Sequence, residues 1–374
     1  MLKTINSLFI LFCLLPAMWS CGSGRGEQAE GSAGRLEYAG LLTLDERNGY
    51  TVARVTNPWD SAKALATYIL VPDSVQLPAD MPSGTIIRTP VSQALVFTSV
   101  HSGLISEIGA IDAIGAVCGA EYITVPEIQH RIADGRITDC GNDASPDIER
   151  IVSASPDLML ISPYENNPSN SRLESMGAPI VLCADYMEKS PLARAEWVKF
   201  FGRLFGKAAE ADSMFATTER EYLALKSAVA KTESRPSVIF DGVYGNQWYV
   251  PRRDATLSSY IRDAGGTNPF DNHPGAGSLP LSPEKILIEA GNADYWLVRY
   301  ASATDYSLSD FVSLQPIYKE FKAAGDENVY GCNTMEVPFY EETPFHPQWF
   351  LEQLVAIFHP ELGITPAHTY FKRL

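Results

Sequence analysis

A phrase that occurs twice in this chain limits its fold more than any other feature. Ser145–Ser162 (SPDIERIVSASPDLMLIS) predicts a helix followed by a buried strand. Ser145 suits the N-cap and Pro146 the first helical position, with Asp147 and Glu149 near the positive end of the helix dipole. Ile148, Ile151 and Val152 fall on one helical face, and Ser155-Pro156 ends the helix. Asp157 then leads into Leu158–Ile161, a short apolar run suited to a strand covered on both faces. The phrase returns as Leu281–Val298 (LSPEKILIEAGNADYWLV), with a Ser282-Pro283 start and Asp294 ahead of Tyr295–Val298. Glu149 precedes Asp157 by 8 residues and Glu284 precedes Asp294 by 10. Two α/β lobes on one plan are expected, each with a carboxylate near a helix start.

This ordered set of motifs resembles the substrate-binding proteins of ABC importers for vitamin B12, ferric siderophores and haem, over roughly Pro90 to Leu362. Their lobes carry the same Glu-containing helix start followed by Pro-Asp and an apolar strand. The resemblance implies an α/β fold of two Rossmann-like lobes joined by one long α-helix, and a ligand held between lobes that move little. It also implies that Glu149 and Glu284 dock on arginines of the membrane permease. Two like charges set apart on one face would give orientation and speed capture; as plain residues, both are also good helix-start glutamates.

The leader fits export. Lys3 precedes the apolar run Leu8–Pro16, which is too short to span a bilayer, and Ser20-Cys21 opens a Gly/Ser-rich stretch. This resembles a lipoprotein signal: residues 1–20 removed, Cys21 lipidated, residues 21–35 a flexible tether and the protein held at the cell envelope in the periplasm. The full chain carries a formal charge of −16, which argues against a sequence-independent nucleic-acid binder. Cys118, Cys140, Cys183 and Cys332 would remain in the mature chain, either paired or buried as thiols.

Residues 36–89 form a β-rich extension, with Tyr50–Val55 and Ala66–Val71 as strands of a small meander. Residues 90–190 are the first lobe. In open α/β sheets ligands lie beyond the carboxyl ends of the strands, which here points to Ser99–Ser102, Glu121-Tyr122 and Pro163-Tyr164. The resemblance places Tyr122 and Tyr164 against a large ligand. Residues 191–232 are a helical connector: one helix over Pro191–Phe205 and a longer one over Gly206–Thr232, whose apolar stripe runs Ala211, Met214, Thr218, Tyr222, Leu225 and Val229.

Residues 233–374 are the second lobe, with Ser237–Asp241 as a strand and a helix over Thr256–Ala264 closed by Gly265. Trp248, Tyr249, Tyr300, Tyr340 and Phe345 are candidate ligand aromatics, and Arg252 and Arg253 could meet carboxylates or phosphate. An aromatic cleft suits a flat or macrocyclic ligand better than a sugar or an amino acid.

We find no P-loop, GxSxG, HExxH or GxGxxG, so no catalytic residue or cofactor is expected. The six histidines are scattered, and His101, Glu107 and His346 do not make a bare-metal site by spacing. The expectation is a monomeric, lipid-anchored binding protein that hands an iron chelate or corrinoid to ABC permease subunits. Its competitors are an exported α/β enzyme or chelatase using the same cleft, and an adaptor lipoprotein that binds ligand without a transporter.

Overall fold

A computed structural model describes residues 36–77, 81–165 and 170–374. The expected leader, Cys21 and the tether lie outside the described residues.

The extension is a four-stranded sheet in the order β1 (Leu42–Arg47), β2 (Tyr50–Thr56), β3 (Ala64–Pro72), β4 (Thr85–Thr89). The first two pairings are antiparallel, but β3 and β4 run parallel, so the expected meander ends in a crossover. Two buried carboxylates tie down its entry. Glu196 accepts the backbone N–H groups of Glu37, Tyr38 and Ala39, and Glu188 those of Gly40 and Leu41. Charge-assisted bonds of this kind are what make a buried carboxylate tolerable. Leu44, Val55, Tyr68 and Leu70 join the core of the first lobe.

That lobe is a five-stranded parallel sheet: β5 (Ala94–Val96), β6 (Ile114–Val117), β7 (Thr138–Asp139), β8 (Leu158–Ile161) and β9 (Ile180–Leu182), in the order β7-β6-β5-β8-β9. This is a doubly wound order, whose direction reverses between β5 and β8. In the second lobe β10 (Val238–Phe240), β14 (Tyr295–Tyr300) and β15 (Val329–Asn333) pair in parallel, with β16 (Lys372–Arg373) antiparallel at the edge. Between β10 and β14 in the chain comes a small antiparallel sheet of β11 (Val243–Tyr244), β12 (Gln247–Pro251) and β13 (Ser278–Leu281).

The repeated aspartate does the same job in each lobe. Asp157 accepts the N–H groups of Ser92 and Gln93 and the Ser92 hydroxyl, at 2.9–3.0 Å, pinning the entry to β5. Asp294 accepts the N–H and hydroxyl of Ser237 at 2.9 Å, pinning the entry to β10. The second helix start is as expected, with the Ser282 side chain accepting the Lys285 N–H. The first differs. Its helix spans Ile148–Ala154, and Asp147 rather than Ser145 caps it, bonding the N–H groups of Glu149 and Arg150.

The connector helix spans Ala208–Val229, about 33 Å at 1.5 Å per residue. Ala211 and Phe215 enter the first-lobe core, whereas Tyr222 and Val229 enter that of the second lobe. One rod is therefore cemented into both. Phe215, rather than the half-buried Met214, fills the stripe. The expected helix Pro191–Phe205 is instead two, Pro191–Ala195 and Val198–Leu204. At the join Trp197 and Lys199 bond three residues back instead of four. Glu196 there reaches the extension, and the Trp197 indole donates to Glu188.

Gly265 sits at φ +72 after the helix Thr256–Asp263, and a Cβ there would lie 2.6 Å from His359 Nε2. His359 in turn bonds the Ala264 carbonyl at 3.0 Å. Gly265-Gly266 and His359-Pro360-Glu361 thus form one structural contact.

Candidate functional site

Beyond the carboxyl ends of β5 and β6 opens a cavity of about 580 Å³. Its first-lobe wall carries Phe97, Thr98, Ser99, Gly119 and Tyr122; its second-lobe wall carries Thr334, Met335, Tyr340 and Glu341. Tyr122 and Tyr340 are 64% and 51% exposed, so each has a ring face to offer. Gly119 makes the Tyr122 placement possible: it adopts φ +62, and a Cβ there would stand 3.3 Å from the tyrosine ring.

Behind Tyr340 lies a smaller cavity of about 230 Å³ with two guanidinium groups in its wall, Arg194 and Arg299. Asp241 holds Arg299 by two side-on bonds, accepting from Nε at 2.9 Å and from Nη2 at 2.5 Å. The guanidinium also stacks over Phe339 and Tyr340, 5.7 and 5.9 Å from their centroids. Burial works against its charge, but Asp241 outweighs that and holds its pKa above the usual range. Arg194 donates from Nε to Asp185 at 3.0 Å. Each arginine is thus oriented by an aspartate bonded to one side of its fork.

Asp185 belongs to a buried chain that ends in the main cavity. Thr98 Oγ1 lies 2.7 Å from His101 Nδ1, and His101 Nε2 lies 2.9 Å from Asp185 Oδ1. Burial raises the Asp185 pKa, yet His101 and Arg194 together bring it below the ordinary carboxylate value. With Asp185 ionised, His101 donates to it from Nε2, and the Thr98 hydroxyl stands at the other ring nitrogen. Thr98 also caps its helix by accepting the His101 N–H.

Glu341 links the two walls. It accepts the Thr124 N–H at 2.9 Å and pairs with the Thr124 hydroxyl, across 217 positions of chain. Burial, opposed by the Thr124 N–H and assisted by neighbouring Glu342, pushes its carboxyl up to about 7. A second cross-lobe contact joins His346 Nε2 to Glu107 at 2.6 Å.

Of the aromatic candidates, Tyr122 and Tyr340 meet at the cavity. Two others are corrected by their burial. Trp248 is 0% exposed, stacked on Trp296 at 5.1 Å, with its indole N–H donated to the Phe240 carbonyl. Phe345 is 2% exposed and packs edge-on to Phe201. Neither leaves a face for a ligand. Tyr164 and Tyr249 are exposed but outside the cavity walls, and Tyr300 stacks on Tyr306 at 4.2 Å. Arg252 donates to the Pro274 carbonyl and Arg253 to Asp254, so neither reaches the cleft. Arg299 directly follows the apolar run of β14, and the strand-end rule that found Tyr122 would have found it too. Nothing local marks Arg194 or Glu341.

The four cysteines of the described residues are buried and free. Burial raises the Cys118 thiol, which borders the cavity, and holds Cys140 at about 11. Among the described residues no three His, Cys, Asp or Glu side chains gather to hold a metal ion. None of the described helices is long and apolar enough to cross a membrane.

Two parallel-sheet lobes, a rigid connecting helix and a cavity walled by both define a two-lobed solute-binding protein. The chain belongs to the periplasmic binding protein family, whose model matches residues 107–334. A lipoprotein of Methanocaldococcus jannaschii is 27% identical over 286 residues, 74% of this chain and 67% of that protein. A periplasmic haem-binding protein from Pseudomonas aeruginosa superposes with a TM-score of 0.58 at 17% identity, covering 75% of this chain and 96% of that one. An ABC-type Fe3+-hydroxamate transport protein from Saccharomonospora viridis superposes with a TM-score of 0.57 at 18% identity, covering 72% and 94%.

Proposed function

We propose that this chain captures a metal chelate or corrinoid between its lobes and delivers it to an ABC permease, while held at the cell envelope through Cys21. Anionic iron chelates, haem or a ferric siderophore, are favoured over cobalamin. The observation that carries this reading is the pairing of the tyrosine-walled cavity with the two-arginine recess behind Tyr340. Ring faces from opposite lobes suit a flat or macrocyclic body, and oriented guanidinium groups suit its carboxylate or phenolate arms. The haem and hydroxamate proteins that share the fold support the same class of ligand. In this reading residues 36–89 brace the first lobe (90–190), 191–232 join the lobes and 233–374 form the second. Glu149 and Glu284 dock on the permease; both are exposed, and neither side chain makes an ion pair or hydrogen bond among the described residues.

Uptake tests it. Cells that keep the permease but lack this chain should fail to accumulate iron from the bound chelate. The parent chain should restore uptake and a Tyr122→Ala/Tyr340→Ala variant should not. Full restoration by that variant would refute the cleft as the capture site.

A second reading has its own observation, the Thr98–His101–Asp185 chain, which has the connectivity of a hydroxyl–imidazole–carboxylate relay. It would make the protein an exported hydrolase of ester-bearing chelates. Against it, the Thr98 oxygen already serves as a helix cap. Recovery of unaltered chelate after prolonged incubation separates the two readings.

A further inference from the structure

The two docking helices share more than a glutamate. On Ile148–Ala154, Val152 follows Glu149 by three positions and is 59% exposed. On Pro283–Ala290, Ile288 follows Glu284 by four and is 84% exposed, the highest value among the large exposed hydrophobic side chains described. Residues three or four apart on a helix stand on one face, about 5–6 Å apart at Cβ. Each helix therefore shows a carboxylate and an aliphatic side chain one turn apart. The neighbouring cations are turned to other acids: Arg150 pairs with Asp147 and donates to the Asp139 carbonyl, and Lys285 lies 3.6 Å from Glu289. One exposed aliphatic residue needs no explanation. Recurrence at matched helices in both halves, beside carboxylates left free, does.

The first helix also borders a hollow of about 860 Å³, whose apolar wall of Ile148, Val152, Met159, Met176 and Pro179 is interrupted by Asp157 and Arg172. The apolar feature of the first lobe is thus concave and that of the second, Ile288, convex.

We propose that each lobe docks through a two-part contact, a carboxylate plus an aliphatic group one helical turn away, on a permease surface that sets a cation beside an apolar site. The hollow at Val152 receives an apolar side chain of the permease, and Ile288 enters a permease socket. Free carboxylates on a chain of net charge −16 favour a cationic counter-surface, and the aliphatic groups supply the dry centre that charge pairs alone lack. This rests on the docking reading above and adds that charge is only half of it.

The test measures association of the chain starting after Cys21 with its full ABC permease in lipid nanodiscs, at several salt concentrations. Val152→Asn and Ile288→Asn keep the charge and stand at exposed positions; melting curves check that both fold. Each should weaken association about tenfold or more, the loss expected for leaving a buried aliphatic group polar, with the salt dependence unchanged. Ile288→Leu should associate like the parent. Glu149→Gln/Glu284→Gln should weaken association and flatten its salt dependence. Asparagine variants that associate like the parent, beside a weakened glutamine variant, would overturn the two-part contact and leave charge docking standing. No effect from any variant would overturn both.

Discussion

Glu341 gives the prediction that can be worked furthest. Its carboxyl, 7% exposed, is held at about 7, whereas an unfolded chain would leave it near 4.5. Each unit of such a difference corresponds to about 1.4 kcal/mol. The folded form holds this proton more tightly than the unfolded form. Stability from this group is therefore fully present below pH 4.5 and is lost as pH rises to 7, with a total cost of about 3 kcal/mol. Glu341→Gln mimics the protonated state: its carbonyl accepts the Thr124 N–H and its amide donates to the Thr124 hydroxyl. Urea unfolding of parent and variant at pH 5 and pH 8 isolates the effect, because other titrating groups cancel in the difference. The variant should gain about 2–3 kcal/mol on the parent between these pH values. An equal difference at both pH values would refute the claim that ionising this buried carboxyl costs the fold stability.

Other expectations concern the ligand, the permease and the fold. Tyr122→Ala and Tyr340→Ala should each weaken chelate binding about tenfold, as measured by titration calorimetry, with little change in melting temperature. Glu149→Arg with Glu284→Arg should abolish uptake in whole cells and leave chelate affinity untouched. Gly265→Ala should destabilise the chain by about 1–3 kcal/mol in urea titrations, because the residue sits at positive φ against His359.

The fold was legible because its signals are local. A capped helix start, a Pro-Asp break and an apolar run of four residues each report their own structure, and their recurrence reports two lobes. The Ser145–Asp147 offset shows the limit: both residues can cap, and only the bonds of Asp147 to Glu149 and Arg150 decide which does. The candidate site was legible only where its lining obeys topology: Tyr122 follows a strand end and borders the cavity. Aromatic composition alone misled for Trp248 and Phe345, since a ring beside polar loop residues can face the core as easily as the cleft. Glu341 was invisible because its partner Thr124 is distant in sequence. The break near Trp197 was hidden for the same reason: Glu196 is drawn to backbone groups 157–159 positions away.

The central claim is capture of a chelate between the lobes, and ligand titration tests it most directly. The chain starting after Cys21 would be titrated with haem, several ferric siderophores and cobalamin, following tryptophan fluorescence and calorimetry. The account predicts saturable one-site binding of an anionic iron chelate, weakened by Tyr122→Ala and by Tyr340→Ala. Binding that ignores both substitutions, or no binding to any of these ligands, would contradict it.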